Sequence, residues 1–405
     1  MTDVENLIPR QKAIDWLLRW KDRDVIKVVT GLRRCGKSTV LALAREAMRQ
    51  SGVAKTSIVD IDLEKMGFSA PTTPEGLYEL ADSRIQGTRS YVFIDEPQRV
   101  PGFERAVDAL YAREDCDIYI TGSNSDLLSS ELATLLTGRY VEHRLLPLSF
   151  SEYRSAFVEY NDDTLFNRYL VLGGMPYATQ LPQEDVSEYL DGVLNTILVK
   201  DVADRHPRFN MSVIRALLAF MADNIGNCYS LKTISDSLEA RGTRVSPTTV
   251  GEYLDALTEC YLLFKAEPYD AKGRRLLQQG GKYYLGDLGF RHLLLGRDAT
   301  DLGHRVENVV YLELLRRYQN VRVGRTGTSE IDFIVERDGR PRYYQVALSV
   351  LDERTLAREL APLRTLEDDY PKTLLTLDRI GSEDHDGIRQ LNLVDWLVEG
   401  GRDHS

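Results

Sequence analysis

The sequence is short of the features that mark secreted, membrane-spanning and zinc-binding proteins. Its 405 residues include four cysteines and six histidines. The cysteines form no CxxC pair and the histidines form no HExxH motif, so neither a disulfide framework nor a zinc site is indicated. The longest apolar runs are far below the roughly 18 residues that a membrane helix needs. The first residues include acids and no apolar segment, which predicts a cytoplasmic protein.

Low-complexity tracts and internal repeats are also missing. Hydrophobic residues make up 43% of the chain and charged residues 28%, values typical of soluble globular proteins. This composition excludes wholesale disorder, a collagen-like chain and a coiled coil. A length of 405 residues predicts two to four domains.

An overall excess of basic residues, common in proteins that coat nucleic acid, is absent as well. The net charge is −11. The acid is concentrated in residues 51–200, with a net charge of −12, and in residues 351–405, with −6, whereas residues 1–50 and 201–350 are net positive. A polyanion is therefore expected to bind only through one of the two basic segments.

The first third of the chain alternates between helices and apolar strands. Strands are predicted at residues 25–30, 57–61, 91–94 and 118–121, and the first of them is apolar apart from Lys27. This alternation predicts an α/β fold with a parallel sheet covered by helices.

The second half of the chain has a different pattern. It is mostly helical from about residue 165, and residues 209–285 predict three helices, the third starting at Ser246 and Pro247, followed by strands at 261–265 and 282–285. That order is typical of a winged helix-turn-helix. Residues 301–405 return to α/β character.

A phosphate-binding loop is predicted where the first strand ends. Gly31-Leu-Arg-Arg-Cys-Gly-Lys-Ser38 matches GxxxxGK[ST] between a predicted strand and a predicted helix. Its backbone N–H groups would surround the β-phosphate of ATP, Lys37 would contact the β- and γ-phosphates, and Ser38 would ligate Mg²⁺. The alternative is a glycine-rich turn at a cationic helix start. The predicted nucleotide contacts are Gly31, Arg33, Arg34, Cys35, Gly36, Lys37, Ser38 and Thr39.

Polar residues at two later strand ends complete the predicted site. Asp95 is expected to hold Mg²⁺ and Glu96 to polarise the attacking water, although acids at a strand end are often merely solvated. Ser123 or Asn124 would position the water, with a plain turn as the alternative.

Arg139 follows a predicted helix and is a further candidate for catalysis. It would complete the charge on the transferring phosphoryl group, in its own subunit or in a neighbouring one. The alternative is a surface ion pair.

The motifs GLRRCGKST, YVFIDE, ITGSNSDLLS, LLTGR, LPLSFSEY, YLVLGGMP and IDFIVERDG occur in this order. Together with the winged-helix region they resemble a prokaryotic family of AAA+-superfamily P-loop ATPases with a C-terminal domain of unknown function. The resemblance implies ATP binding and hydrolysis, assembly into a homo-oligomer such as a ring, and a DNA- or defence-related role. Four segments follow: an ATPase domain (1–160), a helical lid or linker (161–208), a winged helix-turn-helix (209–300) and a nuclease-like domain (301–405).

The last segment resembles a PD-(D/E)XK nuclease fold with altered active-site positions. Glu307, Asp332, Gln345 and Ala347 stand where the resemblance implies metal-binding acids and a water-activating lysine. Because Ala347 cannot replace the lysine and Gln345 is neutral, we expect no cleavage activity.

Basic residues in and near the predicted hairpin favour DNA binding through phosphates. Glu252 and Asp255 on the third helix argue against reading of base sequence. We therefore predict an oligomeric Mg²⁺-dependent ATPase that couples hydrolysis to DNA binding and to remodelling or translocation of a duplex or branched substrate. The alternative is a nucleotide-controlled signalling or defence switch whose C-terminal half binds a protein. The predicted DNA contacts are Arg241, Arg244, Lys272, Arg274, Arg275 and Lys282.

Overall fold

A computed structural model gives the fold as two compact units. The first comprises residues 1–147 with 259–261, and the second comprises residues 148–258 with 262–405. Within the described residues, no helix is long and apolar enough to cross a membrane. The structure describes residues 7–124, 136, 138–157, 159–276, 280–296, 301–327, 329–379 and 383–399.

The first unit contains a five-stranded sheet in which all neighbouring strands are parallel. The strands are β1 (Ile26–Thr30), β2 (Ile58–Asp62), β3 (Ser90–Asp95), β4 (Cys116–Gly122) and β5 (Tyr140–Arg144), in the order β2-β3-β4-β1-β5. The helices are Gln11–Arg19, Lys37–Gln50, Leu63–Met66, Pro74–Asp82 and Phe103–Tyr111. The predicted parallel sheet is confirmed, with one additional strand, β5. The helix expected before Arg139 lies outside the described residues.

A buried ion pair accounts for the lysine in the central strand. Lys27 on β1 and Asp117 on β4 are both buried and form a salt bridge, and Asp117 also accepts a hydrogen bond from the Tyr119 hydroxyl at 2.8 Å. A buried charge is tolerated when it is paired and hydrogen-bonded. The polar residue is therefore compatible with a strand that is buried on both faces.

The second unit contains a two-stranded antiparallel sheet and an eight-stranded mixed sheet. The first pairs β6 (Leu263–Ala266) with β9 (Lys282–Leu285). The larger sheet has the order β14-β15-β13-β12-β11-β10-β7-β8. Its strands are β7 (Pro268–Asp270), β8 (Arg275–Leu276), β10 (Val321–Thr326), β11 (Ser329–Arg337), β12 (Arg340–Val346), β13 (Lys372–Thr376), β14 (Glu383–Asp384) and β15 (Ile388–Asn392).

Helices surround these sheets. The three helices expected before the hairpin are present as Met211–Asp223, Leu231–Ala240 and Pro247–Glu259. Ser246 caps the third, because its hydroxyl accepts the Thr249 N–H at 3.1 Å. The other helices are Phe150–Ser155, Asp162–Leu172, Val186–Ile197, Leu288–Leu295, Leu302–Arg317, Glu353–Arg364 and Leu393–Val398.

The loop of the predicted hairpin differs from a free wing. Between β6 and β9 the chain forms β7 and β8, and β7 pairs in parallel with β10 of the large sheet. The segment predicted as a winged helix therefore shares a sheet with the segment predicted as nuclease-like. A boundary at residue 300 does not separate two independent folding units.

The GGMP motif packs against a buried carboxylate. Asp287 is 2% exposed and accepts the N–H groups of Gly174 at 2.7 Å and Gly289 at 2.8 Å. Burial raises the pKa of Asp287 to about 6. A Cβ atom at Gly173 would lie 1.8 Å from a carboxylate oxygen of Asp287, and the φ of Gly173 is +73°. Glycine at this turn is therefore required for the carboxylate to approach the backbone.

Candidate functional site

The carboxyl edge of the five-stranded sheet brings together the predicted nucleotide residues. Thr30 pairs with Gly122 at the ends of β1 and β4, and Asp95 ends the neighbouring β3. The phosphate loop follows β1, and Ser123 and Asn124 follow β4. Parallel strands place their following residues at one edge, which is where ligands bind in open α/β sheets.

Two glycines shape the loop. Gly36 has a φ of +102° and is the N-cap of the helix Lys37–Gln50. A Cβ atom at Gly31 would lie 2.1 Å from the carbonyl oxygen of Leu145. The loop therefore packs closely against the residues that follow β5. Glycine at each end of the loop permits this close approach and the positive φ angle.

Lys37 is buried within this loop. Its side chain is 5% exposed, and Nζ donates to the carbonyl oxygens of Gly31 at 2.9 Å and Leu32 at 3.2 Å. The nearest Glu96 oxygen lies 3.8 Å away, beyond hydrogen-bond distance. Because its hydrogen-bond partners are neutral carbonyl groups and its ion pair with Glu96 is long, the Lys37 side chain can turn to an incoming anion.

The acids that follow β3 are fixed by a threonine on β4. Thr121 Oγ1 donates to the Asp95 carboxylate and accepts the Glu96 N–H at 3.0 Å. Glu96 has a φ of +56°, which is unusual for a residue with a side chain. The strained backbone and the threonine bridge hold the two carboxylates in defined positions.

The two polar residues after β4 are buried beside these acids. Ser123 and Asn124 are each 1% exposed, and Ser123 Oγ donates to a Glu96 carboxylate oxygen at 3.3 Å. The remaining loop residues are more accessible: Ser38 and Arg34 are exposed, and Arg33 and Thr39 are half-buried. Arg33 lies 3.9 Å from Glu64.

Cys35 and Arg10 pack behind the loop. Cys35 is fully buried, its thiol donates to the Leu145 carbonyl at 3.2 Å, and burial raises the pKa of the thiol, in keeping with a packing role. Arg10 donates to the carbonyls of Cys35 at 3.0 Å and Leu146 at 2.7 Å. Arg10 could not be predicted as part of the site, because a single arginine before a helix carries no local signal of this distant contact.

Arg139 lies at the opposite edge of the sheet. Its carbonyl accepts the N–H of Ile26 at the start of β1, whereas the phosphate loop follows the end of that strand. Its guanidinium pairs with Asp108 at 2.9 Å, and the side chain is 50% exposed. A role for Arg139 at the loop of its own chain is therefore wrong, and the surface ion pair is observed instead.

The predicted DNA-binding cations in the second unit separate into exposed and buried residues. Lys272 and Arg274 are exposed. Arg275 lies 3.6 Å from Asp270, Arg241 lies 3.7 Å from Asp223, and Arg244 lies 3.7 Å from Glu239, and all three arginines remain largely exposed.

Lys282 differs from the other predicted cations. It is 5% exposed, and its Nζ lies 3.0 Å from Glu307 and 2.7 Å from Glu330. The prediction that Lys282 contacts DNA is wrong, because its charge is buried and already paired.

The altered nuclease positions lie around the same lysine. The Glu307 carboxylate also accepts a hydrogen bond from the Tyr284 hydroxyl at 2.7 Å. Asp332 accepts the Val346 N–H at 2.8 Å, and burial together with the Glu307 charge raises the pKa of Asp332 to about 8. Gln345 donates to Glu359 at 3.1 Å. We call Lys282, Glu307, Glu330 and Asp332 the lysine–carboxylate cluster.

This cluster contrasts with a metal site. In the described part of the chain, no group of three or more His, Cys, Asp or Glu residues is arranged to hold a metal ion. Ala347 is half-buried and packs against a hydrophobic cluster that includes Ile331 and Leu374. Within the lysine–carboxylate cluster, the positive charge beside the acids is supplied by Lys282 on β9.

Comparisons with known proteins match two separate regions of the chain. An AAA domain family matches residues 23–154, and a family described as a domain of unknown function (DUF8612) matches residues 163–301. The solved structure of a Walker-type ATPase of Pyrococcus abyssi has a TM-score of 0.53 at 16% identity, covering 72% of this chain and 96% of that one. The likeness shows a shared P-loop ATPase fold.

Two sequence relatives extend beyond the ATPase region. An uncharacterized protein of Methanocaldococcus jannaschii is 29% identical over 332 residues, which cover 76% of this chain and 72% of that protein. An uncharacterized protein of Haemophilus influenzae is 34% identical over 399 residues, which cover 97% of this chain and 99% of that protein. Because this identity runs through nearly all of both chains, the chain belongs to the same family as the Haemophilus influenzae protein and carries an AAA domain with a P-loop ATPase fold.

Proposed function

We propose that this protein is an Mg²⁺-dependent ATPase whose loop 31–38 binds the phosphates of ATP. The observation that carries the proposal is the buried Lys37 ammonium, which contacts two loop carbonyls and lies 3.8 Å from Glu96. An incoming phosphate can replace these neutral partners and gain a charge-assisted hydrogen bond.

The residues at this edge suit a magnesium ion in the nucleotide complex. Ser38 and Asp95 would hold it, since they supply the hydroxyl and carboxylate oxygens that Mg²⁺ prefers. When bound, Mg²⁺ neutralises phosphate charge. Gly31 and Gly36 leave room for the phosphates beside these side chains.

The chain's own residues would support an in-line attack of water on the γ-phosphorus. Lys37 and the loop N–H groups stabilise the charge that develops on the phosphate oxygens. Glu96 orients the water and accepts its proton, while Ser123 fixes the Glu96 carboxylate and Asn124 positions the water. The bond between the γ-phosphorus and the β–γ bridging oxygen breaks, and ADP and phosphate leave.

Glu96→Gln tests this assignment. The variant should bind ATP as the wild type does and lose hydrolysis by about 100-fold or more, because the amide cannot accept the proton. Glu114→Gln is a matched control, since Glu114 is an exposed acid of the same unit. Hydrolysis at the wild-type rate in Glu96→Gln would remove Glu96 from this role.

We further propose that the second unit contacts DNA through phosphates. Exposed Lys272 and Arg274 support this, and Arg274 lines a cleft of about 970 Å³ together with Arg337, Arg340 and Arg342. Three aspartates line the same cleft, so the attraction is modest and strongly salt-dependent. ATP hydrolysis would then drive remodelling or movement of the duplex.

The DNA proposal is tested with duplex and four-way-junction DNA at two salt concentrations. In the double variant Lys272→Gln/Arg274→Gln, DNA binding and the stimulation of ATP hydrolysis by DNA should both fall. The control is Arg354→Gln, since Arg354 is exposed on a separate helix. Absence of both binding and stimulation at low salt would exclude the DNA role.

A nucleotide-controlled switch that binds a protein is the second candidate. It is favoured by the acidic surface of the helix Pro247–Glu259, on which Glu252 and Asp255 are exposed. Either function is proposed for a homo-oligomer. Mass measurement with and without a non-hydrolysable ATP analogue tests that assembly, and a monomer under both conditions would exclude it.

A further inference from the structure

An arginine outside the phosphate-loop motif lies against that loop. Arg10 precedes the helix Gln11–Arg19 and is 5% exposed. Its guanidinium donates to the Cys35 carbonyl at 3.0 Å and to the Leu146 carbonyl at 2.7 Å. Hydrogen bonds from a charged donor are stronger than those between neutral groups. Arg10 therefore joins the loop firmly to the residues that follow β5.

The backbone of Arg10 is fixed by the helix that it begins. Its carbonyl oxygen accepts the N–H groups of Ala13 at 3.0 Å and Ile14 at 3.1 Å, and both of these residues are buried. The helix Gln11–Arg19 packs against the helix Lys37–Gln50, which follows the phosphate loop. A functional side chain is held more precisely by a helix than by a loop. The Arg10 guanidinium is therefore presented to the phosphate loop from a rigid element.

The Cys35 carbonyl belongs to a peptide group whose N–H can bind an anion. The peptide bond between Cys35 and Gly36 is trans, so its C=O and N–H groups point in opposite directions. Because Arg10 holds the C=O group, the Gly36 N–H group is directed to the other side of the loop backbone. Within the described part of the chain, this N–H group donates to no acceptor. An unpaired N–H group at the start of a helix is suited to a phosphate oxygen.

The charge of Arg10 also acts on the loop. Burial raises the pKa of the Cys35 thiol, whereas the nearby Lys37 and Arg10 charges oppose this rise. Both cations therefore lie close enough to influence a negative charge at the loop. A bound phosphate should be stabilised by the same two charges.

We propose that Arg10 is a positioning residue for the phosphate loop. It holds the Cys35 carbonyl so that the Gly36 N–H group faces the phosphates of ATP. This inference rests on the proposed nucleotide-binding function of the loop. Because Arg10 acts through the peptide between Cys35 and Gly36, its removal should weaken nucleotide binding and leave every group at the reacting phosphate in place.

Binding of a fluorescent ATP analogue to the full chain tests this role, at a temperature at which every variant is folded. Arg10→Met should weaken the affinity by about tenfold or more, because the Gly36 N–H group loses its fixed direction. The KM for ATP should rise by a similar factor, with kcat within about threefold of the wild-type value, since the N–H group binds phosphate before and during the reaction.

Two further variants separate positioning from a general loss of structure. Arg10→Lys should keep the affinity within about threefold of the wild-type affinity, because an ammonium group can donate to the same carbonyls. Arg19→Met is the matched control, since Arg19 is exposed on the same helix, and it should leave the affinity unchanged. If Arg10→Met does not fold, Arg10→Gln serves in its place and must also weaken binding.

Three results would overturn the positioning role of Arg10. These are an affinity in Arg10→Met equal to that of the wild type, a fall in kcat with an unchanged KM, or a loss in Arg10→Lys as large as that in Arg10→Met. Each of them leaves the ATPase assignment intact, because the wild type still binds and hydrolyses ATP. A wild-type chain that does neither would instead refute the proposed function, and this inference with it.

Discussion

Two buried lysines in this molecule have opposite electrostatic surroundings. Lys37 in the phosphate loop and Lys282 on β9 are each 5% exposed. Lys37 donates to backbone carbonyls, with Glu96 3.8 Å away, whereas Lys282 lies 3.0 Å and 2.7 Å from two carboxylates. The first lysine can attract an anion, and the second is neutralised within the fold. The partners of a lysine, more than its burial, decide whether it serves binding or stability.

Removal of Lys282 should have the largest effect on stability. Lys282→Met removes the cation that pairs with Glu307, whose side chain is 15% exposed, and with Glu330, whose side chain is 38% exposed, and this should lower the free energy of unfolding by about 1–3 kcal/mol. Urea denaturation measures this change. Adding Glu330→Gln should restore part of the loss, since it removes one of the two charges. A loss below about 1 kcal/mol in Lys282→Met would mean that the cluster is not a paired, buried unit.

Removal of Lys37 should weaken nucleotide binding and leave stability almost unchanged. Lys37→Met deletes a hydrogen bond to a charged group, worth about 1.5–3 kcal/mol of ATP binding, or roughly 10- to 100-fold in affinity. We expect the folded chain to lose only the stability that the two hydrogen bonds to loop carbonyls provide. Equilibrium binding of a fluorescent ATP analogue and thermal unfolding measure the two effects. The contrast between the two lysines would not hold if Lys37→Met changed the free energy of unfolding by more than the free energy of ATP binding.

The lysine–carboxylate cluster should also make stability depend on pH. Asp332 has a pKa of about 8 in the fold, above its usual value of about 3.9. Between these values the folded chain binds more protons than the unfolded chain, so stability should fall as the pH rises, by at most about 1.4 kcal/mol per pH unit. Asp332→Asn should flatten this dependence between pH 5 and pH 8. An unchanged slope in that variant would assign the pH dependence to other groups.

Arg139→Ala should give the smallest change. Arg139 pairs with Asp108 on the surface, at the edge of the sheet opposite the phosphate loop. Exposed ion pairs contribute about 0–1 kcal/mol to stability. Because this pair also lies away from the phosphate loop, the rate of ATP hydrolysis should stay within about threefold of the wild-type rate. A much larger loss, together with oligomer assembly, would show that Arg139 acts at the site of a neighbouring subunit.

The sheet and loop of the first unit were predictable from local sequence. Central parallel strands such as β1 are continuous apolar runs, and the phosphate loop is a contiguous motif with fixed spacing. β5 was missed because its sequence, YVEHR, is polar and only half-buried at the sheet edge. Arg10 was missed because its partners Cys35 and Leu146 are distant in sequence.

The second unit was less predictable, because its key contacts join distant segments. A basic loop predicts exposed cations, and this holds for Lys272 and Arg274. It does not reveal that Lys282 lies against Glu307 and Glu330, which come from a later helix and strand. Nor does local pattern show that β7 joins the large sheet through β10.

The most direct test of this contrast is the rate of ATP hydrolysis of three full-length chains. The wild type, Lys37→Met and Lys282→Met are compared at saturating ATP and Mg²⁺, at a temperature at which all three are folded. We expect Lys37→Met to lose about 100-fold or more of the wild-type rate, because it lacks a charge that the transition state needs. Lys282→Met should keep a rate close to that of the wild type. Hydrolysis by Lys37→Met at the wild-type rate would show that Lys37 does not supply this charge.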